Sequence, residues 1–293
     1  MDKDDYYNAL SYKKFQAINN DTISKKIIAS NIILDAFGNA KTLNIDNSTR
    51  FIKYLKLKFN KSFTKITGSE FYAFLFDKNR VSNLEANKGN NFNVFYYLIK
   101  CGNHDLLRKL FLFSDNITSY NYLNSKNATN INNSSYSKNN FKEFKEALII
   151  LGFNNGEMFT IFKILAAIIL LGNIEIIIDN NLKLMIKQKQ IFLNICNLLN
   201  IDYNEFTSAL INQEESMGNK NLLLNEDNNI VNQENNYNYY NENEEIVNVK
   251  NNFANELYNQ LFLWIKNKIN NNLNQDLSFE NEEEKIITLF DFC

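Results

Sequence analysis

Apolar side chains recur at helical spacing from Ile28 through Ile32 and Leu34 or Asp35 to Phe37. Gly38-Asn39 ends that helix, because glycine takes a left-handed backbone without a Cβ clash. A polar loop follows over residues 44–50. Beyond it, Leu55, Leu57 and Phe59 alternate with Lys56, Lys58 and Asn60, which predicts a strand with one apolar and one solvated face. The apolar run from Phe71 to Phe76 has the length of a strand or a short helix, and periodicity leaves the two open. Phe92, Phe95, Tyr96 and Ile99 share one helical face, which predicts a core helix.

Further along, residues 114–140 are rich in Ser, Asn and Tyr with little periodicity and read as a polar low-complexity insert, a surface loop or a partly disordered one. FKEFKEALIILGF predicts an amphipathic helix with Phe144, Leu148 and Leu151 inward, and Gly152 suits its end. After Asn154 or Asn155 as cap, MFTIFKILAAIILLG is apolar almost all round. It predicts a buried helix, too short and too interrupted by Lys163 to span a bilayer. Helical patterns continue over residues 182–199 and 203–211. Residues 213–248 then form a second low-complexity polar insert, rich in Asn and Glu. A long core helix follows, with Phe253 or Ala254, Leu257, Leu261, Trp264 or Ile265, and Ile269 on one face and Trp264 partly buried. EKIITLFDFC then reads as a short buried strand.

Composition narrows the function classes. The 293 residues are 45% hydrophobic, enough for a sizeable core in one or two domains. A net charge of -2 draws the chain toward neither nucleic acid nor an anionic membrane. Three cysteines, Cys101, Cys196 and Cys293, are odd in number and far apart, which argues for a reducing compartment and against a disulfide scaffold or zinc site. Proline is absent and asparagine abundant, so Asn-X-Ser/Thr matches such as those at Asn60 and Asn127 carry no weight as glycosylation signals. No apolar signal-peptide core stands in the first twenty residues. His104, the sole histidine, has no partner ligands at metal spacing and reads as structural or surface.

The candidate chemistry lies in the loop between the first helix and the first strand. Its Ser48 and Thr49 hydroxyls can coordinate a hard cation such as magnesium, and its backbone amides can cradle phosphate oxygens. Arg50 can instead hold a carboxylate bidentately across a closing cleft. Asp46, Asn47, Ser48 and Thr49 also suit a plain turn, since each type satisfies its own backbone there.

The run NIILDAFGNAKTLNIDNSTRFIKYLKLKF resembles the myosin motor head, where NPVLEAFGNAKT is followed by the switch I loop NDNSSRFGK and a strand. The resemblance continues downstream. FYAFLFDKNRV is similar to a segment ending YLLEKSRV, and NFNVFYYLI to NFHIFYQLL. The pair of helices near residues 141–174 resembles the upper half of the 50-kilodalton region, with Leu170, Leu171, Gly172, Asn173 and Ile174 matching LGN-I. NNFANELYNQLFLWIKNKIN is similar to LAKALYERLFDWLVERIN. The resemblance places Thr49 where the switch I serine coordinates magnesium, and Ser48 beside the terminal phosphate and the attacking water. It places Arg50 where an arginine pairs with a switch II glutamate, so that Ser48 and Arg50 are the candidate catalytic residues. Asn47, Ser48, Thr49 and Asp291 are the candidate nucleotide contacts, Asp291 standing where switch II begins D-I-x-G-F-E. Two positions depart from the pattern: Ile45 replaces an asparagine and Ile52 a glycine.

The resemblance implies an α/β, partial P-loop NTPase-like myosin motor core, mostly helical with a few central-sheet strands near residues 53–60, 70–76 and 286–292 packed beneath helices. It implies Mg-ATP as cofactor, the actin filament and the remainder of a motor as partners, and a cytoplasmic, cytoskeletal location without nucleic-acid binding. No G-x-x-x-x-G-K-S/T occurs in the 293 residues, and the switch II match stops at Cys293. The expectation is therefore an incomplete motor domain over residues 1–293, inactive in isolation, with unpaired sheet edges that make it poorly soluble or partner-dependent. The alternative is a noncatalytic structural or interaction module derived from such a head. An unrelated phosphotransfer enzyme would need another phosphate-binding loop.

Overall fold

The computed structural model describes residues 22–82, 89–124, 136–178, 184–218, 234–274 and 285–291. The expectations for the first twenty residues, for Cys293 and for much of both polar inserts lie outside these residues. Helix α1 spans Thr22–Gly38 and runs directly into strand β1, Asn39–Thr42. Strand β2 is Ser48–Thr49, β3 is Ile52–Phe59 and β4 is Ile66–Phe74, followed by a 3-10 turn at Lys78–Val81. Strand β5, Gly89–Phe92, leads into helix α2, Asn93–Cys101, and α3, His104–Lys109. Helices α4, Lys138–Ile150, and α5, Asn155–Leu171, precede a small hairpin of β6, Ile176–Ile178, and β7, Leu184–Ile186. Helix α6 is Lys189–Leu199, α7 is Tyr203–Gly218, α8 is Glu234–Asn274, and β8 is Lys285–Asp291.

The described strands form three small sheets ordered β2-β1-β5, β4-β3-β8 and β6-β7. Every pairing among them is antiparallel. The chain is thus helical with small antiparallel sheets. The apolar run near Phe71 resolves as strand and starts earlier than its hydrophobicity indicates, because Ile66 through Ser69 pair with β3 despite Gly68. Residues 184–186 were expected in a helix and instead form β7, where Leu184, Met185 and Ile186 face Ile178, Ile177 and Ile176 across the hairpin. Pairing with the β-branched Ile176–Ile178 strand overrides the helical preference of Leu184 and Met185.

Two helices keep most of their expected inward positions, with Ile28, Ile32 and Leu257 only half-buried. In α1 the buried residues include Ile23, Ile27, Ala29, Ser30, Ile33, Leu34, Ala36 and Phe37, while Ile28 and Ile32 are half-buried and Asp35 exposed. In α8 the buried line is Ala254, Tyr258, Leu261, Phe262, Ile265, Ile269 and Leu273, and Trp264 is 41% exposed at the margin against Phe153. Helices α4 and α5 follow their patterns. Phe144, Leu148 and Leu151 are buried, Gly152 takes φ +71°, and Asn154 closes a capping box with Glu157. No described helix is long and apolar enough to cross a membrane.

Helix α8 holds the sheets and helices together. Its Phe262 stacks on Phe76 with centroids 4.2 Å apart, and its Tyr258 lies 4.9 Å from Phe92. Burial of one such aromatic stabilises the fold by about 1.5–3 kcal/mol. Three polar side chains on the helix lock its position. Asn255 accepts from the Ser82 N–H, Tyr258 donates to the Phe37 carbonyl at 2.8 Å, and Asn270 both accepts from and donates to the Phe71 backbone. The segment before the first described gap in the 114–140 region also reaches the core, since Ile117, Tyr120, Tyr122 and Leu123 are buried.

Candidate functional site

The site is built where the chain leaves α1, turns, and crosses from one sheet to the next. Phe37 seals the end of α1 against Phe144 and Tyr258. Gly38 must be glycine here, since any Cβ would overlap the Phe51 ring. Strand β1 then passes between β2 and β5, with Ala40 opposite Ser48 and Phe92. The turn is closed at residues 42–45, where the Thr42 N–H donates to the Ile45 carbonyl at 2.8 Å and the Ile45 N–H to Thr42 Oγ1. Residues 43–47 are exposed and Lys41 pairs with Asp46 at 2.7 Å.

Ser48 and Thr49 were expected in the loop, and the structure places them in β2. A two-residue strand carries no periodicity, so only its partner β1 reveals it. Ser48 is buried and its Oγ accepts from the Arg50 guanidinium, while Thr49 is half-buried opposite Asn39. Arg50 is fixed through its backbone on both sides: its N–H donates to the Gly38 carbonyl at 2.8 Å, and its carbonyl accepts from the Asp77 N–H at 3.0 Å. Arg50 Nε is buried with no hydrogen-bond partner among the described residues, and so is Asn39 Oδ1. A donor and an acceptor left open at one site are the kind of groups a polar ligand satisfies.

Asn47 is exposed, and its Oδ1 accepts from Asn93 Nδ2 at 2.9 Å. Asn93 in turn accepts from the Tyr136 hydroxyl, which accepts from Asn90 Nδ2. Asn47, Asn93 and Tyr136 border a cleft of about 480 Å³ beside the loop, whose lining also includes Asp35, Asp46, Tyr97, Asn140 and Glu143. Burial pushes the Tyr136 hydroxyl up to about 12, so it stays protonated and available as a donor at neutral pH. Asp291 ends β8 opposite Lys53, which brings the strand that carries it to within one sheet spacing of the segment following Arg50. The fold therefore gathers Ser48, Thr49 and Arg50 at one point, with Asn47 at the loop tip and the end of β8 alongside.

Asn39, Asp77, Arg80, Asn90 and Asn93 surround the site, and sequence reasoning did not find them. In a chain so rich in asparagine no single one is conspicuous, and Asp77 and Arg80 lie about thirty residues downstream in an unremarkable polar turn. Of the possible cation ligands, the Thr49 hydroxyl remains at the site edge. Among the described residues no group of three or more His, Cys, Asp or Glu could hold a metal by itself. A hydroxyl with few protein carboxylates suits a magnesium ion bound chiefly through phosphate oxygens and water.

Comparison with known proteins shows the family. Residues 5–293 match the family described as myosin head (motor domain). Myosin-1 of Saccharomyces cerevisiae is 33% identical over 198 residues, covering 68% of this chain and 10% of that protein. Unconventional myosin-Ic of Danio rerio is 34% identical over 197 residues, covering 67% and 19%. Myosin type-2 heavy chain 2 of Schizosaccharomyces pombe is 32% identical over 196 residues, covering 67% and 9%. The chain spans between about a tenth and a fifth of the length of these relatives. With its helical body, its small antiparallel sheets and a match over nearly its whole length, this chain belongs to the myosin head (motor domain) family.

Proposed function

We propose that residues 47–50 form the switch I side of a Mg-ATP site in a P-loop NTPase-like motor core that works on actin filaments in the cytoskeleton of the cytoplasm. The observation that carries this reading is the state of Arg50. Its backbone is fixed at both ends, its guanidinium rests on Ser48, and its buried Nε has an open bond to offer. The Thr49 hydroxyl would hold magnesium, and Ser48 would sit beside the terminal phosphate. Arg50 would pair with a carboxylate that closes the site, and Asn47 and Asp291 would lie along the nucleotide. When bound, Mg-ATP supplies a phosphoanhydride whose developing charge the ion offsets. The chain's own residues orient the phosphate and exclude water from the Arg50 side.

In this reading residues 1–293 are an incomplete motor domain, with polar inserts at 114–140 and 213–248. Taken alone they are expected to turn over ATP very weakly, since no G-x-x-x-x-G-K-S/T loop lies within them. A noncatalytic interaction module is the second reading. It is favoured by one observation: Asn47 already accepts from Asn93, and Ser48 from Arg50, so both side chains have protein partners.

Calorimetric titration of the chain with ATP, with and without magnesium, tests the two. Magnesium-dependent binding that disappears in both Arg50→Ala and Thr49→Ala is the expected result. Binding unchanged in both variants would place the nucleotide elsewhere, and no binding by the wild-type chain would favour the interaction module.

A further inference from the structure

Arg80 is the most deeply buried charged side chain near the site, only 3% exposed, and the proposed chemistry makes no use of it. It sits in the 3-10 turn after β4. Its Nη1 donates to the Asn90 carbonyl at 2.9 Å and its Nε to Asp77 Oδ2 at 3.3 Å. Asn90 belongs to β5, the partner of β1, so one arm of the guanidinium grips the sheet that carries Ser48 and Thr49. Asp77 belongs to the segment that follows β4, in the other sheet. Its N–H is the donor that holds the Arg50 carbonyl.

Arg50 is the residue at which the chain passes from β2 in the first sheet toward β3 in the second. The covalent crossing at Arg50 and the guanidinium bridge at Arg80 therefore join the same two sheets, with Asp77 touching both. We infer that Arg80 is a positioning residue, a bolt that fixes the angle between the two sheets and through Asp77 sets where the Arg50 side chain departs. The bridge needs a planar fork with separate donors for a carboxylate and a carbonyl, which a lysine ammonium on a flexible stem does not reproduce. Burial disfavours the Arg80 charge, Asp77 offsets this in part and the like charge of Arg50 adds to it, consistent with a cation retained for its bonds rather than for solvation.

This inference rests on Arg50 being the site residue proposed above, but its first test is independent of nucleotide. Amide hydrogen exchange is measured on the protein and on Arg80→Lys. The expected result is exchange about tenfold faster at the Arg50 and Asp77 amides, the size of effect that loss of one charge-assisted hydrogen bond gives, with α4 and α5 unchanged. Unchanged exchange at Arg50 and Asp77, or acceleration spread evenly over the whole core, overturns it. Arg80→Ala provides a second readout. Millimolar guanidinium is expected to slow exchange again at those two amides in this variant and not in wild type, and its failure to do so counts against a bridge at this point. If both exchange tests succeed but Mg-ATP gives no protection at residues 47–50, the bolt stands and the nucleotide reading falls.

Discussion

Single side chains decide the site. Gly38→Ala is expected to destabilise the protein by about 1–3 kcal/mol, because the added methyl overlaps the buried Phe51 ring, itself packed against Phe71 and Phe262. Urea denaturation checks it. Lys250 is a second singular residue, buried with its ammonium donating to the Ile174 carbonyl at 3.0 Å and lying over the Tyr122 ring. Burial pushes it below its ordinary 10.5, against a smaller opposing pull from Glu175. A base whose folded value is depressed binds fewer protons folded than unfolded, so its contribution to stability rises with pH through that folded value and levels off above 10.5. Wild type should therefore gain stability relative to Lys250→Met as pH is raised from neutrality toward 10.5, and parallel denaturation curves at each pH would show it. The hydroxyls at Ser48 and Thr49 and the cation at Arg50 were legible in the sequence as candidate chemistry. That Ser48 is buried under Arg50 was not, since it depends on β1 lying opposite.

At the scale of elements, α8 does more than bury an apolar stripe. Asn270 lies on the helix yet makes two hydrogen bonds with the backbone of Phe71, at 2.9 and 2.8 Å, filling a place a neighbouring strand residue would take. Asn270→Ala leaves both Phe71 groups without that partner and is expected to cost about 1–3 kcal/mol. The accompanying change is faster amide exchange at Phe71 than elsewhere in β4. Periodicity showed α8 and most of its inward face, with Ala254, Leu261, Ile265 and Ile269 buried, but not the place of Tyr258. Leu257 scores as the natural inward residue, whereas Tyr258 takes that place because its hydroxyl reaches the Phe37 carbonyl and its ring meets Phe92 and Phe95. The β6–β7 hairpin escaped notice for a related reason. Short apolar runs flanked by helices look the same whether they pair across a turn or coil, and pairing is a non-local fact.

On the scale of the whole molecule, the sheet β4-β3-β8 has β8 at its edge among the described residues. Ile286, Ile287 and Leu289 on that strand are 50%, 41% and 51% exposed, so both of its faces show apolar surface. A strand of this kind recruits other strands, and the 293-residue chain is expected to self-associate in a concentration-dependent way. Ile286→Lys should shift sedimentation profiles toward the monomer, and a monomeric wild type at all concentrations would contradict the prediction. The sequence by itself determined the family, the long helices and the identity of the candidate loop. These are written in local periodicity and in contiguous runs such as AFGNAKT, which need no partner to be recognised. The tertiary structure alone decided that Tyr258 rather than Leu257 turns inward, that Ser48 and Thr49 form a strand, and that Asp77, Arg80 and Asn93 stand behind the loop. Those facts arise from contacts between segments tens to hundreds of residues apart, where hydrogen-bonding geometry and close packing choose among positions that local pattern leaves equivalent.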